Sequence, residues 1–374
     1  MILAIIKMRG EGFMKKRIAL LLGMVLTVSA LAGCTNKTAE EFMKEQSEKQ
    51  NAVAEESKGE TDTAPTEGGV KTGLALVTKV GSSADAAADA EGIAQTDVMI
   101  AAVTVDAEGK IAACAIDSVQ SAVNFGIDGK LTTDIAAEVQ SKNELGTNYG
   151  MNKASSIGKD WHEQAAAFAQ YCIGKTADEV KGIAVTEGKA ADADLAAGCT
   201  IHIGDFQAAV AQAVENADVL GAQTGDKLGI GIVTSIADSA DAAADAEGVA
   251  QTSTTVSALT LNADGVITSA VIDGVQAKVN FDTAGKITTD ITAPVDSKNV
   301  LGTSYGMSKA SSIGKEWNEQ AAAYAQYAVG KTVDEVNGTA VTEGVPSDTD
   351  LAASVTIHIT DFNTVITKAA ANAK

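Results

Sequence analysis

A chain of 374 residues, 45% hydrophobic and 21% charged, is long enough to bury a core in each of two domains. Aromatic residues supply only 4%, so the cores must be built from small side chains that pack closely. A formal net charge of −21 repels polyanions and anionic headgroups, which excludes a nucleic-acid binder and a basic membrane-docking face.

The first element is "MKKRIALLLGMVLTVSALAGC", beginning at Met14. Lys15, Lys16 and Arg17 form a basic region, and Ile18 to Leu31 an apolar run too short to span a bilayer comfortably. Its ending, Leu31-Ala32-Gly33-Cys34, resembles a bacterial lipobox. The resemblance implies that residues 1–33 are a lipoprotein signal peptide and that Cys34 is diacylated as the first mature residue. A plain secretory peptide cut near Gly33 is the alternative. Met1 to Phe13 play no part and read as a start assigned too early. Removing residues 1–33 takes away five Lys/Arg and one acid, moving the net charge from −21 to −25. Attachment to the cell membrane therefore rests on acyl chains.

Residues 34–72 are polar, acidic and poor in large apolar side chains, the composition of a flexible tether. A duplication follows. Gly73 matches Gly229, Asp85 matches Asp241, Ser155 matches Ser311 and His202 matches His358, always 156 residues apart and without a gap. So long a period indicates a copied domain, here residues 73–220 and 229–374, rather than a solenoid. The copies also rank the chemistry. Cys114, Cys172 and Cys199 become Ala270, Ala328 and Val355, so they read as buried small hydrophobes.

Within each copy, alternation around "DAEGK" or "NADGV" predicts a β-hairpin, and "AVNFGIDGKLTTDI" or "KVNFDTAGKITTDI" a further strand pair. Trp161, Ala165, Phe168 and Cys172 recur at helical spacing, predicting a helix over 157–173 that Ser155 or Ser156 would cap. "TADEV" and "TVDEV" read as capping boxes. "GCTIHI" or "SVTIHI" reads as a strand leading into a last alanine-rich helix. The fold class expected is α+β, with two tandem repeat domains, each an antiparallel sheet with packed helices.

No phosphate loop, nucleophile elbow, zinc helix or paired-cysteine motif is present in the sequence. His162 is Asn318 in the second copy, and alternation makes His202 and His358 solvent-facing strand residues before it makes them ligands. "KASSIGK", by contrast, is identical in both copies.

The hairpins and this turn resemble the FMN-binding domain family of the sodium-pumping NADH:quinone oxidoreductase. In that family a transferase links FMN through a phosphoester to Thr or Ser within Asp-Gly-x-Ser-Gly-Ala-Thr/Ser. Gly306, Ser308, Ala310 and Ser311 match the pattern, as do Gly150, Ala154 and Ser155; Asn152 replaces its Ser. Tyr149 and Tyr305 stand in place of Asp, and Lys153 and Lys309 in place of the second Gly. A lipobox, an acidic tether and two such domains also look like the flavinylated surface lipoproteins of Gram-positive extracellular electron transfer.

The resemblance implies covalent FMN on Ser155 and Ser311, with Lys153 or Lys309 near the phosphate. Tyr149, Tyr305, Trp161 or Trp317 would be ring-stacking walls, although a core role suits both Trp better, and Tyr149 and Tyr305 could instead be a turn packed on the sheet. It further implies an electron carrier rather than an enzyme, anchored outside a bacterial membrane. Its partners would be a flavin transferase and a membrane NADH dehydrogenase or the quinone pool. The competing expectation is a non-redox surface lipoprotein whose duplicated domains bind a ligand or partner. A hydrolase using the same serines would need a base distant in sequence, such as His202 or His358.

Overall fold

A computed structural model describes residues 68–374; the lipobox with Cys34, and the tether as far as residue 67, lie outside the described residues. Strands β1 (Lys71–Lys79), β2 (Gly92–Val105) and β3 (Ile111–Phe125) form an antiparallel sheet in the order β1-β2-β3. Then come α1 (Lys142–Leu145), short 3-10 turns at Gly146–Tyr149 and Met151–Lys153, and α2 (Trp161–Cys172). A small α3 (Ala177–Lys181), the two-residue strands β4 (Val185–Thr186) and β5 (Lys189–Ala190), α4 (Ala193–Ala196) and α5 (Gly204–Glu215) complete the series.

The same order returns with β6 (Lys227–Ser235), β7 (Gly248–Leu261) and β8 (Ile267–Phe281), again antiparallel. It continues through α6 (Lys298–Leu301), 3-10 turns at Gly302–Ser304 and Met307–Lys309, and α7 (Trp317–Ala328). The chain then forms α8 (Val333–Asn337), β9 (Val341–Thr342), β10 (Val345–Pro346), α9 (Thr349–Ala352) and α10 (Thr360–Asn372). Helices and antiparallel sheets together make an α+β protein. No helix among the described residues is long and apolar enough to cross a membrane.

Local chemistry sets the hairpins and caps. At the β2–β3 turn the Asp106 carboxylate accepts from the N–H groups of Glu108 (3.1 Å) and Lys110 (2.8 Å), and Gly109 takes φ +77°. Thr176 with Glu179, and Thr332 with Glu335, form the two expected capping boxes.

The central strands are apolar on both faces, because each sheet lies between helices and the other sheet. In β2, Ala101, Val103 and Val105 pack with Trp161, Phe168, Phe206 and Val210 of α2 and α5. The intervening Val98, Ile100 and Ala102 pack instead with Leu228, Ile230, Ile232, Val256 and Ala258 of the second sheet. Both faces are therefore dry, and the strand reads as an apolar run rather than a clean alternation.

Contacts between the sheets are reciprocal. The Asp85 carboxylate accepts from Ile287 N, and Asp241 from Leu131 N, both at 2.8 Å. Ala86 N donates to Gly285 O and Ala242 N to Gly129 O, again both at 2.8 Å. The Phe125 and Phe281 rings stack with centroids 4.1 Å apart. Each contact is matched by its counterpart 156 residues on, the pattern of a two-fold-related interface. Residues 68–374 lie within one compact unit. Residues 68–72, at the end of the expected tether, pair with the segment joining the two series: Thr72 N to Asp218 O (2.9 Å), Val70 N to Ala222 O (3.0 Å).

Three local expectations need correction. The helix expected over 157–173 begins at Trp161, because Gly158 adopts φ +65° and Asp160 is the N-cap, with Glu163 closing a capping box (Asp160 N to Glu163 Oε2, 2.8 Å). Neither Ser155 nor Ser156 caps it. The "TIHI" segments form no strand; His202 makes a single bridge to Lys189, because Ile203 already caps α5. The second strand pair is likewise reduced to single bridges, Phe125 to Leu131 and Phe281 to Ile287.

Candidate functional site

The turn carrying Ser155 is held from behind. Asp160, 2% exposed, accepts from Asn152 N (3.0 Å), folding the 3-10 turn back onto the start of α2. Glu316 does the same in the second series, accepting from Met307 N (2.8 Å) and from the Ser308 hydroxyl (2.6 Å). That hydroxyl, foremost, keeps the Glu316 carboxyl below its usual range.

Gln164, fully buried on α2, donates to the Ser155 hydroxyl oxygen (3.1 Å) and to Lys159 O (3.0 Å). Its own oxygen accepts from Thr200 N (2.8 Å). Gln320 repeats the arrangement with Ser311 (3.2 Å), Lys315 O (3.2 Å) and Thr356 N (2.8 Å). A buried amide with both ends satisfied thus fixes each serine against the "TIHI" segment. The signal for Gln164 and Gln320 was legible as an invariant "EQ" one turn into each helix, but only the fold shows what they hold.

Ser155 and Ser311 are half-buried, with the exposed Ala154, Ser156 and Gly158 beside one and Ala310, Ser312 and Gly314 beside the other. A Cβ added at Gly158 or Gly314 would meet nothing within 4 Å, so the turn is open at the glycine three residues after each serine. Lys153 and Lys309 are exposed, each at the end of its 3-10 turn. Tyr149 and Tyr305 are half-buried, and Tyr149 OH donates to Gln120 (3.2 Å).

Trp161 (4% exposed) and Trp317 (7%) are core residues, packed edge-on against Phe206 and Phe362 at 5.7 Å. They are not available as faces for a flavin ring, which corrects that expectation. A cation not singled out by its position in the sequence joins each group. Lys142 Nζ lies 4.9 Å from the Tyr149 ring and 5.2 Å from Trp161, and Lys298 lies 5.0 Å from Tyr305 and 4.6 Å from Trp317.

The only hydrogen bonds to the two serine hydroxyls among the described residues come from Gln and backbone N–H donors (Ile157 N and Ile313 N, both 3.4 Å). No base among the described residues is placed to take a serine proton. His202 and His358 are exposed, lying against Gly188 and Gly344. Cys172 and Cys199 are buried as read, while Cys114 is only half-buried.

α1 is pinned by a buried acid. Asp117, 4% exposed, accepts from the Ser141 hydroxyl (2.7 Å), Ser118 N (2.7 Å) and Asn143 N (3.0 Å). Burial outweighs these bonds and pushes its carboxyl up to about 6; Asp273 is raised for the same reason. A carboxyl with a raised folded pKa holds its proton more tightly when folded. Its stabilisation is full below the unfolded value and is lost as pH rises through about 6. Urea unfolding should therefore show about 1 kcal/mol more stability at pH 5 than at pH 7.5 from Asp117. Asp117→Asn should lose that share; an unchanged pH dependence in the variant counts against it. Below about pH 4, acids held low in the fold, such as Glu316 and Glu335, reverse the trend.

Comparison of the chain with protein-family models, with curated proteins and with solved structures found no match.

Proposed function

We propose that the chain is an extracytoplasmic, lipid-anchored electron carrier, built as two tandem FMN-binding-like repeats that hold FMN on Ser155 and Ser311. The observation that supports this reading is the pair of matched, amide-fixed serine hydroxyls, each in a turn that is open at the glycine three residues on. The ester would form as serine Oγ attacks the flavin-side phosphorus of a flavin adenine dinucleotide held by the transferase; the bond from that phosphorus to the adenylate oxygen breaks, and adenylate leaves with release of the hydroxyl proton. Bound FMN supplies the redox chemistry. Gln164 and Gln320 orient the linkage, Lys153 and Lys309 balance the phosphate charge, and Tyr149 and Tyr305, with Lys142 and Lys298 beside them, form the ring wall. A membrane NADH dehydrogenase or the quinone pool would supply electrons for external acceptors, and a flavin transferase would load the serines.

Intact-mass measurement of the mature protein, co-produced with a flavin transferase, tests the reading. The expected result is a gain equal to two FMN groups, one lost in Ser155→Ala and the other in Ser311→Ala, with flavin fluorescence surviving denaturing electrophoresis. An unmodified mass under those conditions sinks it.

The alternative, a non-redox surface lipoprotein that binds a partner, is favoured by one observation, an open cleft beside β3.

A further inference from the structure

The fold treats the two adjacent serines of each "KASSIGK" turn differently. Ser155 is half-buried and its oxygen accepts from Gln164 Nε2 (3.1 Å) and Ile157 N (3.4 Å). Ser311 is half-buried too and accepts from Gln320 Nε2 (3.2 Å) and Ile313 N (3.4 Å). Ser156 and Ser312 are exposed, and no hydrogen bond reaches either hydroxyl among the described residues. The more accessible serine of each pair is therefore the one without built surroundings.

A serine oxygen has two acceptor sites and one O–H. With both acceptor sites of Ser155 or Ser311 facing protein donors, the O–H is left to point away from them. Such donors also favour the oxygen as it gives up its proton, because they bond an alkoxide more strongly than a hydroxyl. Neither amide is free to turn. Gln164 and Gln320 are fully buried, and the oxygen of each accepts from the N–H (2.8 Å) and the hydroxyl (3.2 Å) of Thr200 or Thr356. Only an oxygen can accept from that N–H, so the NH₂ end of the amide must face the serine. A neutral amide also brings no negative charge against a phosphate.

We propose that Gln164 and Gln320 are positioning residues that select Ser155 over Ser156, and Ser311 over Ser312, as acceptors of the FMN phosphate. The inference rests on the flavin reading and adds to it the reason for the choice of hydroxyl. In the transfer, serine Oγ bonds to the flavin-side phosphorus of flavin adenine dinucleotide, and the bond from that phosphorus to the adenylate oxygen breaks. The hydroxyl proton passes to a base on the transferase, since the groups bonded to the serine oxygen are donors. The amide acts through the serine, holding its oxygen while the proton leaves.

The test uses the whole chain, purified without flavin and incubated with a flavin transferase and flavin adenine dinucleotide. Loading at each serine is followed over time by peptide mass mapping. The unaltered chain is expected to load Ser155 and Ser311 and to leave Ser156 and Ser312 free. Gln164→Leu removes the donor at similar volume. It should slow loading in the first series at least about tenfold and spread the remainder over Ser155 and Ser156. Ser311, loading at its usual rate, is the internal control, and Gln320→Leu should give the mirror result. Phe168→Leu changes the core under the same helix but leaves the amide in place, so it should alter neither the rate nor the serine chosen. Equal loading of both serines of a pair in the unaltered chain overturns the inference. So does an unchanged rate and site in the two Gln variants, or a loss in Phe168→Leu as large as in Gln164→Leu. A chain that takes up no FMN at all overturns the flavin reading itself, and this inference with it.

Discussion

Phe125→Ala is expected to lower the unfolding free energy by about 3–5 kcal/mol and to do so for both halves of the structure at once. The Phe125 ring is fully buried, stacked on Phe281 with an interplanar angle of 3°. It lies directly over Gly92, where a Cβ would be 2.3 Å from the ring, and Phe281 lies over Gly248 in the same way. Neither ring can be replaced by its surroundings, so truncation leaves a cavity shared by the two sheets. Phe281→Ala should cost about as much, and the double variant less than the sum, because each substitution removes the same contact. One tryptophan lies in each half, which makes the test direct. With Trp317→Phe or Trp161→Phe as background, the remaining indole reports its own half. Coincident urea midpoints, shifted together by Phe125→Ala, are expected; separate midpoints would falsify the shared core.

Gly231→Ala should be at least as damaging as many larger core substitutions, by about 3 kcal/mol or more. A Cβ at Gly231 would lie 1.9 Å from Val365 O and 2.5 Å from Ala369 N, both backbone atoms of α10. No rotamer change relieves such a contact; the helix must lift off β6. The corresponding position in the first series is Ala75, 1% exposed, so the same substitution looks harmless from the sequence. Ala75→Gly in the first half should therefore be mild, about 1 kcal/mol. Thermal unfolding of the pair decides the matter: similar losses for both would mean that α10 does not sit so closely against β6.

These cases mark what was legible. Features set by neighbours in the chain were readable: the β2–β3 hairpin from its Asp-Ala-Glu-Gly turn, the capping boxes from Thr-x-x-Glu, the small-residue cores from the scarcity of aromatics. The start of α2 was also written there, as Asp160-x-x-Glu163, but the serines were the more conspicuous cap residues. The identical "KASSIGK" pointed to the turn, while the amide that fixes it comes from a residue nine positions later, inside a helix.

By itself the sequence determined the duplication, the α+β class and the candidate serines, because each depends on residue types at short or repeated spacings. Only the tertiary structure decided that both tryptophans belong to the core, that Lys142 and Lys298 join the aromatic groups, and that Gly231 touches a helix. It also decided that the residues joining the two series pair with β1, through Asp218 and Ala222. Those outcomes depend on which surfaces meet in the fold, whether a few residues apart, as for Lys142 and Tyr149, or far apart, as for Gly231 and Val365, and matched positions such as Ala75 and Gly231 can meet different surroundings.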